Sequence, residues 1–124
     1  MVNGAVKRRL MGREMEGSLD LPYVTMKENA VMNIGKIKIK AIPTPGHTSG
    51  STAYLVNGRY LFTGDLLVLR DGKAEVTSSM LNNDHELSKQ SIRKLARELQ
   101  GVRIILTAHS GFTTDFERAM TGFK

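Results

Sequence analysis

The 124-residue chain has no cysteine and no tryptophan. Without cysteine there is no disulfide, no thiolate metal site and no cysteine nucleophile. Any transition-metal site must therefore draw on His, Asp, Glu and water. Aromatic residues are scarce, four Phe and three Tyr, so aliphatic side chains must fill the core. Only three prolines punctuate the chain. No apolar run approaches the roughly 20 residues that a membrane helix needs. Residues 1–10 include basic side chains with no apolar segment behind them, so no secretory signal is expected and a cytoplasmic location is the default.

What the chain does contain suits one globular domain. Its length falls in the ordinary single-domain range, and 40% hydrophobic residues suffice for a core. Lys and Arg exceed Asp and Glu by 18 − 12 = 6. A basic surface of this kind attracts anionic partners, nucleic acid among them, but says nothing about fold. The basic residues Lys7, Arg8, Arg9 and Arg13 cluster in residues 1–20, where Gly4, Gly12 and Gly17 weaken any helix. Residues 1–32 are thus expected to be a basic N-terminal arm, or a short irregular helix, leading into a domain over residues 33–124.

From residue 30 onward the periodicity is readable. Ile37 and Ile39 alternate with Lys36, Lys38 and Lys40, the pattern of a half-buried strand. A turn at residues 33–35 and a short strand at 30–32 are expected before it. Residues 52–56 and 60–63 read as strands joined at Asn57-Gly58, a dipeptide whose two positions tolerate positive φ. Asp71-Gly72 is expected to turn a looser hairpin between residues 66–69 and 74–77. The period then changes. Ile92, Leu95, Ala96 and Leu99 fall on one helical face, Asn83 and Glu86 look like a capping box, and Gly101 marks the stop. A strand over residues 103–107 and a final helix over 114–120 complete an α/β layer, a mixed sheet with helices on one face. Lys89, Arg93, Lys94 and Arg97 flank the helix stripe and are expected to be its solvated side. The sheet's other face should also be apolar, with little chain left to cover it beyond Met1, Met11, Met15, Met26 and Met32, whose adaptable side chains suit irregular gaps.

Three residues stand out for chemistry. His47 lies in Thr44-Pro45-Gly46-His47-Thr48-Ser49-Gly50-Ser51, Asp65 ends Leu61-Phe62-Thr63-Gly64-Asp65, and His109 lies in Ile105-Leu106-Thr107-Ala108-His109-Ser110-Gly111. Each flanks a strand, where a rigid sheet positions ligand groups. Two imidazoles and a carboxylate suit zinc, iron or manganese, and such a metal brings the pKa of water to about 7, the chemistry of a hydrolase. The separations, 65 − 47 = 18 and 109 − 65 = 44, match no compact zinc motif, so spacing alone does not place the three together. His85, at the expected helix start, reads as solvent-facing. A phosphate loop is excluded because three rather than four residues separate Gly46 from Gly50 and no Lys follows. No Gly-x-Ser-x-Gly elbow supports a Ser–His–Asp triad through Ser49 or Ser51.

These three segments, in this order and with a helix between the last two, resemble the C-terminal half of the metallo-β-lactamase superfamily over residues 33–120. The resemblance implies half of an αββα sandwich. It implies His47 as the third histidine of a first metal site, Asp65 as the carboxylate bridging two metals and helping to orient the attacking water, and His109 as the last histidine of a second site. It implies hydrolysis of a small-molecule ester, thioester or phosphodiester. The family's His-x-His-x-Asp-His signature is not found here, since His47, His85 and His109 are the only histidines. A catalytic zinc keeps three protein ligands plus water, so the resemblance leaves each metal short. A truncated product, a separate chain supplying the missing half, and a homodimer are the three ways to read that shortfall. The dimer has a physical motive, since a bare apolar sheet face drives association and twofold symmetry would bury the same patch on both copies. A non-catalytic self-associating half domain or a basic nucleic-acid-binding module is the other class of function.

Overall fold

A computed structural model describes residues 26–124 and the strand pairing of residues 5–10 and 13–18. The elements in order are β1 (Ala5–Leu10), β2 (Arg13–Ser18), β3 (Val31–Ile34), β4 (Ile37–Pro43), β5 (Thr52–Val56), β6 (Tyr60–Gly64), β7 (Leu67–Arg70), β8 (Lys73–Val76), α1 (His85–Glu98), β9 (Ile104–Thr107), β10 (Phe112–Thr113) and α2 (Phe116–Met120), followed by a 3-10 turn at Thr121–Phe123. The main sheet is six-stranded, in the order β10-β9-β6-β5-β4-β3. Its strands from β3 to β6 form an antiparallel meander. The chain then leaves the sheet, forms the β7–β8 hairpin and α1, and returns as β9 parallel to β6. A parallel return requires such a crossover, because a tight turn can only reverse the chain.

One face of the sheet carries the core. Ile42, Ala53, Leu61 and Ile105 alternate inward from β4, β5, β6 and β9 and meet Ile92, Leu95 and Ala96 of α1 and Phe116, Ala119 and Met120 of α2. The β7–β8 hairpin packs into the same cluster through Leu67 and Ala74. Leu61, Ile92 and Ile105 have no exposed surface, and each such side chain contributes about 1.5–3 kcal/mol relative to leaving it in water. The helices are held by their ends as well. The Asp84 carboxylate accepts from the Leu87 N–H at 2.9 Å and Asp115 from Arg118 at 3.0 Å, caps worth about 1 kcal/mol each. The expected mixed sheet with helices on one side is the observed architecture.

The opposite face is bare among the described residues. Pairing and alternation place Met32 and Ile34 of β3, Ile37 and Ile39 of β4, Tyr54 of β5, Tyr60 and Phe62 of β6 and Phe112 of β10 on it together. Tyr54 is 39% exposed, Phe62 43% and Phe112 67%. An apolar surface this continuous is uncommon on a monomer. Of the methionines expected to cover it, Met26 and Met32 line a groove at its β3 end, but Met32 remains 40% exposed. Met1 and Met11 lie outside the described residues, and Met15 is described only as a position in β2.

Several local expectations shift. Within residues 1–20, expected as an arm or irregular helix, β1 and β2 pair antiparallel, with Ala5 opposite Ser18 and Leu10 opposite Arg13 in register. Residues 1–4, 11–12 and 19–25 lie outside the described residues, and the expected boundary at residue 32 falls inside β3. Asn33 is a strand residue rather than part of a turn, and the chain reverses at Gly35 and Lys36. Asn57-Gly58 turns as expected, with φ of 51° and 67°, and the Asn57 side-chain oxygen accepts from the Lys38 N–H at 2.8 Å. Asp71-Gly72 is equally tight, pairing Arg70 directly with Lys73. Helix α1 is capped by Asp84 instead of Asn83 and ends at Glu98, with Leu99 as its cap. Gly101, at φ 74°, serves the turn into β9.

Candidate metal centre

The main sheet sets the site's location. β4, β6 and β9 run in the same direction, because β4 and β6 are both antiparallel to β5 and β9 is parallel to β6. His47, Asp65 and His109 each follow the C-terminal end of one of these strands, so all three are delivered to the same edge of the sheet. The carboxyl ends of strands are where α/β sheets usually gather ligands.

The side chains converge on the Asp65 carboxylate. His109 Nε2 lies 3.0 Å from Asp65 Oδ1 and His47 Nε2 lies 3.7 Å from Asp65 Oδ2. Each imidazole therefore meets a different oxygen of one carboxylate. Their exposures differ widely: 22% for the His47 side chain, 41% for Asp65 and 79% for His109. Among the described residues, no group of three or more His, Asp or Glu is already arranged to hold an ion. The donor types still suit a divalent cation of the zinc class. Two neutral imidazole nitrogens beside a carboxylate need a cation or protons between them, since lone pairs facing an anion repel.

Each loop is fixed by its own polar network. The His47 loop closes on itself through Gly46 N–H to Thr48 O at 3.0 Å and Thr48 N–H to Ser51 Oγ at 3.0 Å. It is also tied to the start of α1. Asn83 N–H donates to His47 O at 3.2 Å, Asp84 N–H to Gly46 O at 2.8 Å, and Ser91 Oγ–H to Pro45 O at 2.7 Å. These bonds fix the backbone of residues 83 and 84 against the loop, and it is the Asp84 side chain that reaches the Leu87 N–H and caps the helix. The Asp65 loop is anchored by Thr77, whose hydroxyl donates to Asp65 O at 2.6 Å. The His109 loop is held by Ser110, whose hydroxyl accepts from Leu69 N–H at 2.7 Å and meets Thr107 Oγ1 at 2.7 Å. Ala108 N–H donates to Gly64 O at 3.2 Å, joining the last two loops directly.

Residues that sequence reasoning passed over surround this cluster. Asn82 Oδ1 faces His47 Nδ1 at 3.0 Å, and its Nδ2 donates to Thr77 O at 2.8 Å. His85, expected to face solvent, is half-buried with its Nδ1 3.3 Å from Asn82 Nδ2. No motif marks Asn82; its one signal is position, in a polar run just before a helix cap. A groove of about 590 Å³ opens beside the His47 loop, lined by residues 49–52 together with Met32, Ala41 and Tyr54. None of His47, Asp65 and His109 lines it.

Lys89, hydrogen-bonded to Glu86 on the outer side of α1, holds the Glu86 carboxyl below its usual range. Arg93 and Arg97 on that side are exposed, consistent with a solvated basic face.

No family model matches the chain. It is 38% identical over 64 residues to hydroxyacylglutathione hydrolase of Mesorhizobium japonicum, an overlap covering 49% of this chain and 25% of that protein. Among solved structures, an archaeal metallo-β-lactamase superfamily protein from Sulfolobus tokodaii superposes with a TM-score of 0.63 at 21% identity, over 86% of this chain and 41% of that one. The B3 metallo-β-lactamase BLEG-1 superposes with a TM-score of 0.64 at 26% identity, over 88% of this chain and 51% of that one. The shared fold thus takes in most of this chain and about half of each of these two structures.

Proposed function

We propose, for a chain that has the metallo-β-lactamase fold over about half the length of its solved neighbours, that His47, Asp65 and His109 belong to a metal-dependent hydrolytic centre. The observation that carries this reading is the approach of both imidazoles to the two oxygens of Asp65. Zinc is the metal of choice, with iron or manganese compatible with the same donors. A bound divalent cation would supply a Lewis acid that makes water acidic enough to react near neutral pH. The chain's own part is to hold that cation through His47 and His109, and to use Asp65 both as a shared ligand and to orient the attacking water. The substrate class is an ester, thioester or phosphodiester; the relative named a hydroxyacylglutathione hydrolase supports a thioester. The cytoplasm is the proposed location. Among the described residues no helix is long and apolar enough to cross a membrane.

Three donors divided between two metals leave each short of the three protein ligands that a catalytic zinc keeps beside its open position. The 79% exposure of His109 leaves room for further ligands. The bare sheet face, with the exposed Tyr54 and Phe62 at its centre, supports a partner on that side. We propose that a second copy covers this face in a symmetric pair, which would bury the same apolar patch on each. A separate chain bringing further histidines is the other occupant. Light scattering is expected to show a dimer at micromolar concentration, and a monomer there would exclude the symmetric pair.

Metal content tests the function itself. About one equivalent or more of zinc per chain is expected, lost in His47→Ala and in His109→Ala. A folded protein without metal, combined with salt-sensitive nucleic-acid binding that survives both substitutions, would instead favour a basic binding module.

A further inference from the structure

We infer that Asn82 is a positioning residue that fixes His47 as its Nδ1–H tautomer, leaving Nε2 bare toward Asp65. The argument begins at a backbone carbonyl. Thr77 O can only accept, and it lies 2.8 Å from the Asn82 amide nitrogen. Turning the amide over would set two oxygens against each other at that distance, so the orientation with Nδ2 on Thr77 is the one the surroundings allow. The second amide hydrogen faces His85 Nδ1 at 3.3 Å. Both donors are thereby directed away from His47.

The Asn82 oxygen is left facing His47 Nδ1 at 3.0 Å. That oxygen can only accept, so Nδ1 must carry the proton. In the neutral ring Nε2 then holds a lone pair, and Nε2 is the nitrogen directed at Asp65 Oδ2, 3.7 Å away. A lone pair facing a carboxylate at this distance is unfavourable unless a cation lies between them. Metal-binding histidines commonly have their second nitrogen fixed by such a partner, and losing that partner costs about 10- to 100-fold in metal affinity. The same Thr77 whose carbonyl orients Asn82 uses its hydroxyl to hold the Asp65 carbonyl at 2.6 Å. One threonine thus ties the backbone of Asp65 to the ring orientation of His47 through Asn82.

The functional meaning of this arrangement rests on His47 being a metal ligand, but the tautomer itself does not. Nitrogen NMR on zinc-free protein at alkaline pH, where imidazoles are uncharged, separates the two. Wild-type His47 is expected to show a protonated, pyrrole-like Nδ1 and a pyridine-like Nε2. In Asn82→Ala the Nε2–H form should appear, since no side-chain acceptor then faces Nδ1. Titration with zinc alone should give 10- to 100-fold weaker binding for Asn82→Ala than for wild type. A pyridine-like Nδ1 in wild type, or an unchanged tautomer in a folded Asn82→Ala, overturns the role of Asn82. A wild-type chain with the expected tautomer that takes up no zinc supports the role of Asn82 and overturns the metal reading instead.

Discussion

Replacing Gly46 by Ala is expected to unfold much of the domain at temperatures the wild type tolerates. Gly46 has φ 136°, which L side chains rarely adopt, and it is packed against the first turn of α1. A Cβ there would lie 2.6 Å from Ser88 Cα and closer still to Ser88 N and Oγ. The obstacle is helix backbone, which cannot step aside as a flexible side chain can. Overpacking costs about 1–3 kcal/mol, and backbone held in a sparsely populated region a further 1–3. The expected loss is therefore about 2–6 kcal/mol, a large part of the roughly 5–15 that a typical domain possesses. Thermal denaturation should show Tm falling by more than about 10 °C. Adding Ser88→Gly removes the hydroxyl but leaves the backbone clash, so it should recover little. Gly50→Ala, in the same loop with nothing within 4 Å of the new methyl, should leave Tm nearly unchanged. Equal effects of the two alanines would refute this account of the loop.

Asp65→Ala should have the opposite profile, a large loss of metal binding with the fold intact. The Asp65 side chain is 41% exposed, and what anchors the loop is its carbonyl, held by Thr77. Truncation therefore leaves the local hydrogen bonds in place while removing the group that both histidines approach. Zinc affinity measured by competition should fall at least 100-fold, beyond the roughly 10–100-fold typical of an outer-sphere partner. The same loss appears in stability, because a ligand at 100 times its Kd adds about 2.7 kcal/mol to the folded state. Zinc should thus raise the melting temperature of the wild type and not of Asp65→Ala. If both bind zinc alike, the carboxylate is not part of a metal site.

The strands and the long helix were legible because their physics is local. Ile37 and Ile39 alternate, Asn57-Gly58 is a pair that only a tight hairpin uses readily, and Ile92, Leu95 and Ala96 share a helix face. The candidate site residues were chosen by a different route. Nothing in the separations of His47, Asp65 and His109 brings them together; they stand out as two imidazoles and a carboxylate beside strands, and the resemblance of the surrounding segments is what relates them to one site. What stayed hidden depended on contacts between distant segments. Asp84 rather than Asn83 caps α1, in a segment whose backbone N–H groups at both positions are held by the distant His47 loop. Asn82 is ordinary as a sequence position and acquires its role from Thr77 and His47. The β1–β2 pairing was obscured by the glycines and by the density of basic residues, which favoured an irregular reading. Strand β10 is two residues long, too short for any periodicity to register.

The parallel pairing of β6 with β9 has a consequence for how the centre comes into being. The meander from β3 to β6 is built from neighbouring hairpins, which close in about 1–10 μs in isolation, and it already brings the His47 and Asp65 loops to one edge. His109 arrives only when the chain has passed through the β7–β8 hairpin and α1 and docked beside β6, a pairing with a large loop-closure cost that slows folding. Metal affinity should therefore develop late in refolding, with the last strand-to-strand contact rather than with the first secondary structure.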